Sequence, residues 1–291
     1  MPDKFSATWI SHTSLSDYLL CPRSYYLKNI YKDRSTGHKL QIVSPALSLG
    51  SAVHAVLEGL AQLPTEDRFK KSLVLSLDDQ WLNHEGKKGG FKNQEEEYLY
   101  KERGKAMLRR VMDNPGPLGK LSVKLKQDFL YYWLNEEENI ILCGKIDWLE
   151  YLPESDSVHI IDFKTSKKEE KANSLQLPIY LLLAQNCQNR KVDKMSYWYL
   201  EFDNLPTRID FVNLEEPNSR ILEIGRKIKL ARKLNNLKCP NGIEGCFACR
   251  SLEAVLRGEG EKVGETKRHD LYYLEKIQIP EEEDLLEEII H

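Results

Sequence analysis

Asp147, Asp162 and Lys164 are the residues of this chain whose types and spacing fit a reaction. Asp162 and Lys164 are two apart at the end of an apolar run, Val158 to Phe163, and Asp147 stands near the end of another, Ile140 to Leu149. Alternate side chains of a strand share a face, so Asp162 and Lys164 project together. Pro153, Glu154, Ser155 and Asp156 between the runs read as the turn of a hairpin. If its register brings Asp147 opposite Asp162, two carboxylates and an ammonium share one small site. Carboxylates that close repel unless a cation lies between them. Oxygen ligands suit a hard divalent ion, Mg²⁺ or Mn²⁺. The ammonium is then left to meet an anionic oxygen or a metal-activated water, which is phosphodiester chemistry.

The ordered set Gly144-Lys145-Ile146-Asp147, Asp162-Phe163-Lys164-Thr165 and Gln176-x3-Tyr180 resembles the PD-(D/E)XK nuclease superfamily. Within it the set is most similar to the RecB-like branch of iron–sulfur type, which includes AddB-like and CRISPR-associated exonucleases. Asp-x-Lys alone is a weak pattern, whereas the ordered set is specific. The resemblance implies an α/β fold with a mixed central β-sheet flanked by helices. The run Leu49-Gly50-Ser51-x2-His54-x3-Glu58 resembles the helix that supplies a metal-binding histidine in such nucleases. A lone histidine on an apolar helix is more often a satisfied core residue; with the resemblance, His54 is read as a ligand. Glu58, four residues on and on the same face, is a lesser candidate. The implied metal set is His54, Asp147, Asp162 and the Phe163 carbonyl. Lys164 would stabilise developing charge or orient the nucleophile, and Gln176 and Tyr180 would position substrate.

Six cysteines in a chain with no export signal argue for metal ligation before disulfides. Cys246-x2-Cys249 puts two thiolates on one turn, as Zn²⁺ sites and iron–sulfur clusters do. Cys239 precedes them, and Cys21, followed by Pro22, is the natural fourth ligand. The serine-rich opening and Cys-Pro are similar to the first helix of the iron–sulfur nucleases. That likeness implies a 4Fe–4S cluster joining Cys21 to Cys239, Cys246 and Cys249. The order departs from the family, which places Cys-x2-Cys before a third cysteine, so Zn²⁺ stays open as the alternative. Cys143 and Cys187 sit in apolar patterns and read as core thiols.

The elements that must position these residues follow from periodicity. Residues 10–31 read as a helix interrupted at Cys21-Pro22, and 44–62 as an amphipathic helix carrying His54. Residues 66–113 read as helical around a loop at 83–92, a possible cover over a substrate channel or plain scaffold. Residues 123–134 read as a strand and 174–186 as a helix bearing Gln176 and Tyr180. Strands follow at 195–202 and 208–214, then a basic helix over 218–237. A single nuclease domain is expected over 1–257, with an acidic tail over 258–291.

At 291 residues, 41% hydrophobic and 30% charged, the chain can bury a sizeable core. No apolar run approaches the ~20 residues that span a bilayer. The start lacks a basic-then-apolar signal, so a cytoplasmic location is the expectation. Gly-Lys-Lys-Gly-Gly at 86–90 lacks the Walker hydroxyl, which argues against an NTP-driven motor. The net charge of −3 hides local clusters: Lys167, Lys168 and Lys171 beside the site, and Arg226, Lys227, Lys229, Arg232, Lys233 and Lys238 on a helix. Such clusters bind phosphates or simply face solvent. The expected function is a metal-dependent deoxyribonuclease, an exonuclease on single-stranded or frayed DNA ends in repair, recombination or prespacer processing. Helicase, CRISPR or repair proteins are its candidate partners. The rival is a non-catalytic DNA-binding scaffold subunit of a repair complex.

Overall fold

The computed structural model describes residues 3–125, 127, 129–210 and 214–275. Its regular elements begin with β1 (Thr8–Ile10), α1 (His12–Leu20), α2 (Pro22–Tyr25), β2 (Lys39–Ile42) and α3 (Pro45–Gly59). Then come α4 (Leu73–Trp81), α5 (Gln94–Asp113), β3 (Leu130–Asn135), β4 (Ile140–Gly144), β5 (Trp148–Leu152) and β6 (Ser157–Lys164). The chain continues through α6 (Gln176–Cys187), β7 (Lys191–Tyr199), β8 (Thr207–Ile209) and α7 (Glu215–Lys233). It closes with α8 (Phe247–Leu256), β9 (Glu261–Glu265) and β10 (His269–Tyr273). This is the expected mixed α/β architecture, and it divides into two compact units.

One unit comprises the segment ending at His12 together with Ala52–Gln80 and Arg103–Lys229. Its four-stranded sheet has the order β5-β6-β7-β8. All of β6 but its last residue is buried, which a near-continuous apolar run allows when both faces of a strand are covered. β5 runs antiparallel to β6, with Trp148 opposite Ile161, and β7 runs parallel, with Asp162 opposite Tyr197. A parallel pair needs a crossover, and the 165–175 loop with α6 supplies it. α6 is buried at every residue from Leu177 to Ala184, as befits a helix apolar all round. A second sheet of order β1-β4-β3 completes this unit.

The expected single strand from Ile140 to Leu149 is two strands. β4 pairs with β1 and β3, while β5 pairs with β6, and residues 145–147 lie between them. Gly144, the last residue of β4, lets α6 pack closely there: a Cβ on it would stand 3.0 Å from Leu183 Cδ1. The hairpin itself is present as β5–β6, with Asp156 in its turn at φ 43°, a conformation Asp tolerates. The strand expected over 123–134 begins only at Leu130, although Ser122 bridges Glu150 upstream.

The other unit comprises Thr13–Ser51, Trp81–Glu102 and the chain from Leu230. Its sheet has the order β2-β10-β9, with β2 parallel and β9 antiparallel to β10. Leu40, Ala254, Val255 and Leu274 form one apolar cluster and Val43, Leu271 and Tyr273 another. These contacts explain why 261–273 forms two strands where an acidic tail was expected: Val263, Leu271 and Tyr273 supply the apolar face. The acidic run from Glu281 to Glu288 lies outside the described residues. No described helix is long and apolar enough to cross a membrane.

Candidate active site and cysteine centre

The break between β4 and β5 leaves Asp147 just ahead of the Trp148–Ile161 pair, on the side of Asp162. There its Oδ2 accepts the Phe163 N–H at 2.9 Å. This bond uses the amide of Phe163 and ties Asp147 to the end of β6. Helix α3 brings His54, whose Nδ1 lies 3.5 Å from Asp147 Oδ2 and 3.9 Å from Glu58 Oε1. Ligand atoms of His54, Glu58 and Asp147 all lie within 4.8 Å of one another. Glu58 Oε2 also pairs with Lys145 Nζ.

Asp162 is 1% exposed. Its Oδ1 accepts Gln176 Nε2 at 2.9 Å. Its Oδ2 lies 3.0 Å from Lys164 Nζ, yet out of line for a hydrogen bond, and so is a buried oxygen without a hydrogen-bond partner. Lys164 Nζ also donates to Gln176 Oε1 and lies 3.1 Å from Glu170 Oε2. Gln176 therefore clamps aspartate and lysine together, and its Nε2 is 3.3 Å from the Tyr180 hydroxyl. α6 achieves this by presenting Gln176 and Tyr180 one turn apart.

Burial and mutual charge set the protonation of the site. Burial, reinforced by the neighbouring Asp147 charge and only partly offset by Lys164, pushes Asp162 up to about 7. Burial resists the ionisation of Asp147 too, but His54, the Phe163 amide and Lys164 together hold that carboxyl below its usual range. Burial disfavours the His54 cation, yet Asp147, with Glu58 and Asp162, raises His54 to about 10. Burial likewise opposes the Lys164 charge, and Asp162 and Glu170 more than restore it, so its pKa is raised. Two carboxylates that split in this way, one with an oxygen held only by the Lys164 ion pair and the other beside an imidazole, fit a hard divalent cation.

Two further residues join the site without a signal in the sequence. Glu170 meets Lys164 from the 165–175 loop, its N–H donating to the Tyr199 hydroxyl at 2.9 Å. It sits in the run Lys-Thr-Ser-Lys-Lys-Glu-Glu-Lys, whose composition reads as a solvated loop. His12, at the start of α1, feels the charges of both Glu170 and Lys164, and burial lowers its pKa to about 4. Part of the basic stripe on α7 is used structurally. Arg226 and Lys229 bind Glu138, and Lys227 pairs with Glu223.

In the other unit, Cys21, Cys239, Cys246 and Cys249 bring their sulfurs within 4.8 Å of one another. Cys21 caps α2 and Cys246 caps α8, with Cys249 in the first turn of α8. Cys21 and Cys249 are fully buried and Cys246 nearly so. Burial pushes the Cys21 thiol up and takes Cys249 to about 12. Such thiols become thiolates only when a metal compensates the charge. Cys143 is buried in β4, and the Cys187 thiol donates to the Tyr131 carbonyl at 3.5 Å.

The family model described as the PD-(D/E)XK nuclease superfamily matches residues 9–259. No curated protein matches the chain.

Proposed function

The chain belongs to the PD-(D/E)XK nuclease superfamily, and on that premise we propose that it is a divalent-metal-dependent deoxyribonuclease. Its substrate is single-stranded or frayed DNA, which it degrades as an exonuclease in repair, recombination or prespacer processing, alongside helicase, CRISPR or repair proteins. The observation that carries this reading is the buried Asp162, paired with Lys164 and retaining an oxygen without a hydrogen-bond partner. His54, Asp147 and Asp162 would hold the ion, with the Phe163 carbonyl as a further ligand and Glu58 as an added donor. Bound Mg²⁺ or Mn²⁺ supplies polarisation of the scissile phosphate and activation of water. Lys164, kept cationic by Asp162 and Glu170, donates to the oxygen on which charge develops. Gln176 fixes the Lys164 ammonium against Asp162, and Tyr180 supports Gln176. Lys167 and Lys168 in the adjacent loop are suited to track a phosphate backbone.

The test is incubation of the full chain with end-labelled single strands, free-ended or end-blocked, in Mn²⁺ or Mg²⁺. Free ends should be shortened and blocked ends spared, and neither without the ion. Lys164→Ala and Asp162→Ala should each lose about a hundredfold or more while remaining folded. Residual activity above about a tenth of wild type in either folded variant removes the assignment. Binding of DNA without cleavage would instead favour the scaffold role.

A further inference from the structure

The four cysteines of the second unit stand closer together than a polynuclear cluster allows. Cys246 Sγ and Cys249 Sγ are 3.8 Å apart, and all four sulfurs fall within 4.8 Å of one another. Four thiolates on one tetrahedral zinc, at a Zn–S distance of about 2.3 Å, are separated along each edge by about 3.8 Å. In a cubane each thiolate binds a different iron at a different corner, which sets neighbouring sulfurs about 6 Å apart. We propose that this quartet is a mononuclear tetrahedral Zn²⁺ site, in place of the 4Fe–4S cluster that the family resemblance implies.

The surroundings are built for the short spacing. Gly245 precedes Cys246 at φ +72°, and a Cβ on it would come within 3.1 Å of Cys249 Sγ. The Cys246 N–H points at Cys249 Sγ at 3.3 Å. The amides of Ser24 and Asn241 similarly face Cys21 and Cys239. Backbone N–H groups aimed at sulfur stabilise thiolate, the form that binds metal. Cys21 and Cys246 also stand at the starts of helical segments, and α8 runs for ten residues behind Cys246. The arrangement is closed, with four protein ligands and no position left for water, as in structural rather than catalytic zinc sites.

Elemental analysis of full-length protein, grown with iron in excess and purified without oxygen, tests this. About one zinc per chain should be found, with neither iron nor acid-labile sulfide. The zinc should persist in Asp162→Ala, which removes a ligand of the other site, and vanish in Cys249→Ser and Cys21→Ser. Should those variants not fold, wild-type protein stripped of metal and titrated with Co²⁺ provides a second reading. A single equivalent should then develop the intense visible bands of tetrahedral thiolate cobalt, and Zn²⁺ should bleach them. Iron in the anaerobic protein, above all with an equal amount of sulfide, overturns the proposal. So does cobalt bound without tetrahedral bands, or zinc retained in a folded Cys249→Ser.

Discussion

If Asp162 and His54 hold a divalent ion as proposed, both carry protons that the ion would have to displace. Asp162 is raised to about 7, by burial first and then by Asp147, and His54 to about 10 because Asp147, Glu58 and Asp162 together exceed the effect of its burial. Both groups are therefore proton-loaded below neutrality, and His54 remains so well above it. Metal affinity should accordingly rise with pH, because each proton released is one fewer competitor. We expect the Mn²⁺ affinity of the full chain to increase more than tenfold from about pH 6 to about pH 8. Calorimetry in two buffers of different ionisation enthalpy should register the proton release directly. An affinity flat across that range would mean that His54 and Asp162 are not displaced from their protons by the ion. At this scale the acidic pair and its lysine were readable, because carboxylates at the end of apolar strands conflict with their surroundings. Glu170 was not, since a glutamate in a lysine-rich loop conflicts with nothing until the loop is seen to turn back on Lys164.

The elements were legible where a period was sustained and illegible where packing cut it. α3, α5, α6 and α7 follow from helical spacing. The end of β4 does not, because Ile140 to Leu149 carries no proline and its only break signal is Gly144. At that residue the packing is tertiary: Leu183 of α6 occupies the space that a side chain at 144 would need. That break releases Asp147 towards the Phe163 amide, and the same helix carries Gln176 and Tyr180. Gly144→Val should therefore push on the element that clamps Asp162 and Lys164. Overpacking of this kind costs about 1–3 kcal/mol, readable by urea unfolding, and nuclease activity should fall by more than the unfolded fraction explains. If activity per folded molecule is unchanged, α6 does not transmit the strain to Gln176. The β9–β10 hairpin was obscured differently. Charged residues fill Gly258 to Arg268, and only Val263, Leu271 and Tyr273 show the face that packs with Val43.

At the scale of the whole chain, the cysteine centre joins segments that lie near opposite ends of the sequence. Cys21 begins α2, whereas Cys239, Cys246 and Cys249 surround the start of α8. The entropy of closing so long a loop grows only with the logarithm of its length, while a structural metal–thiolate centre supplies on the order of 10 kcal/mol. A polar tie between α2 and α8 is the Arg23–Glu253 pair, whose side chains are 31% and 27% exposed. Partly solvated pairs of this kind contribute about 0–1 kcal/mol, far less than a metal at the proposed site would. Tyr31 packing against the Leu40, Ala254, Val255 and Leu274 cluster leaves an apolar contact that keeps the region from unfolding outright. Loss of the centre should thus loosen both segments together. In Cys249→Ala, amide hydrogen exchange should accelerate in residues 22–30 and in α8 by similar factors, and bound metal should be lost. Cys187→Ala, whose thiol meets only the Tyr131 carbonyl among the described hydrogen bonds, should leave both segments protected and the metal in place. Acceleration confined to α8 would show that Cys21 is not held by the same ion, because a shared ligand sphere cannot release one partner and keep the order of the other.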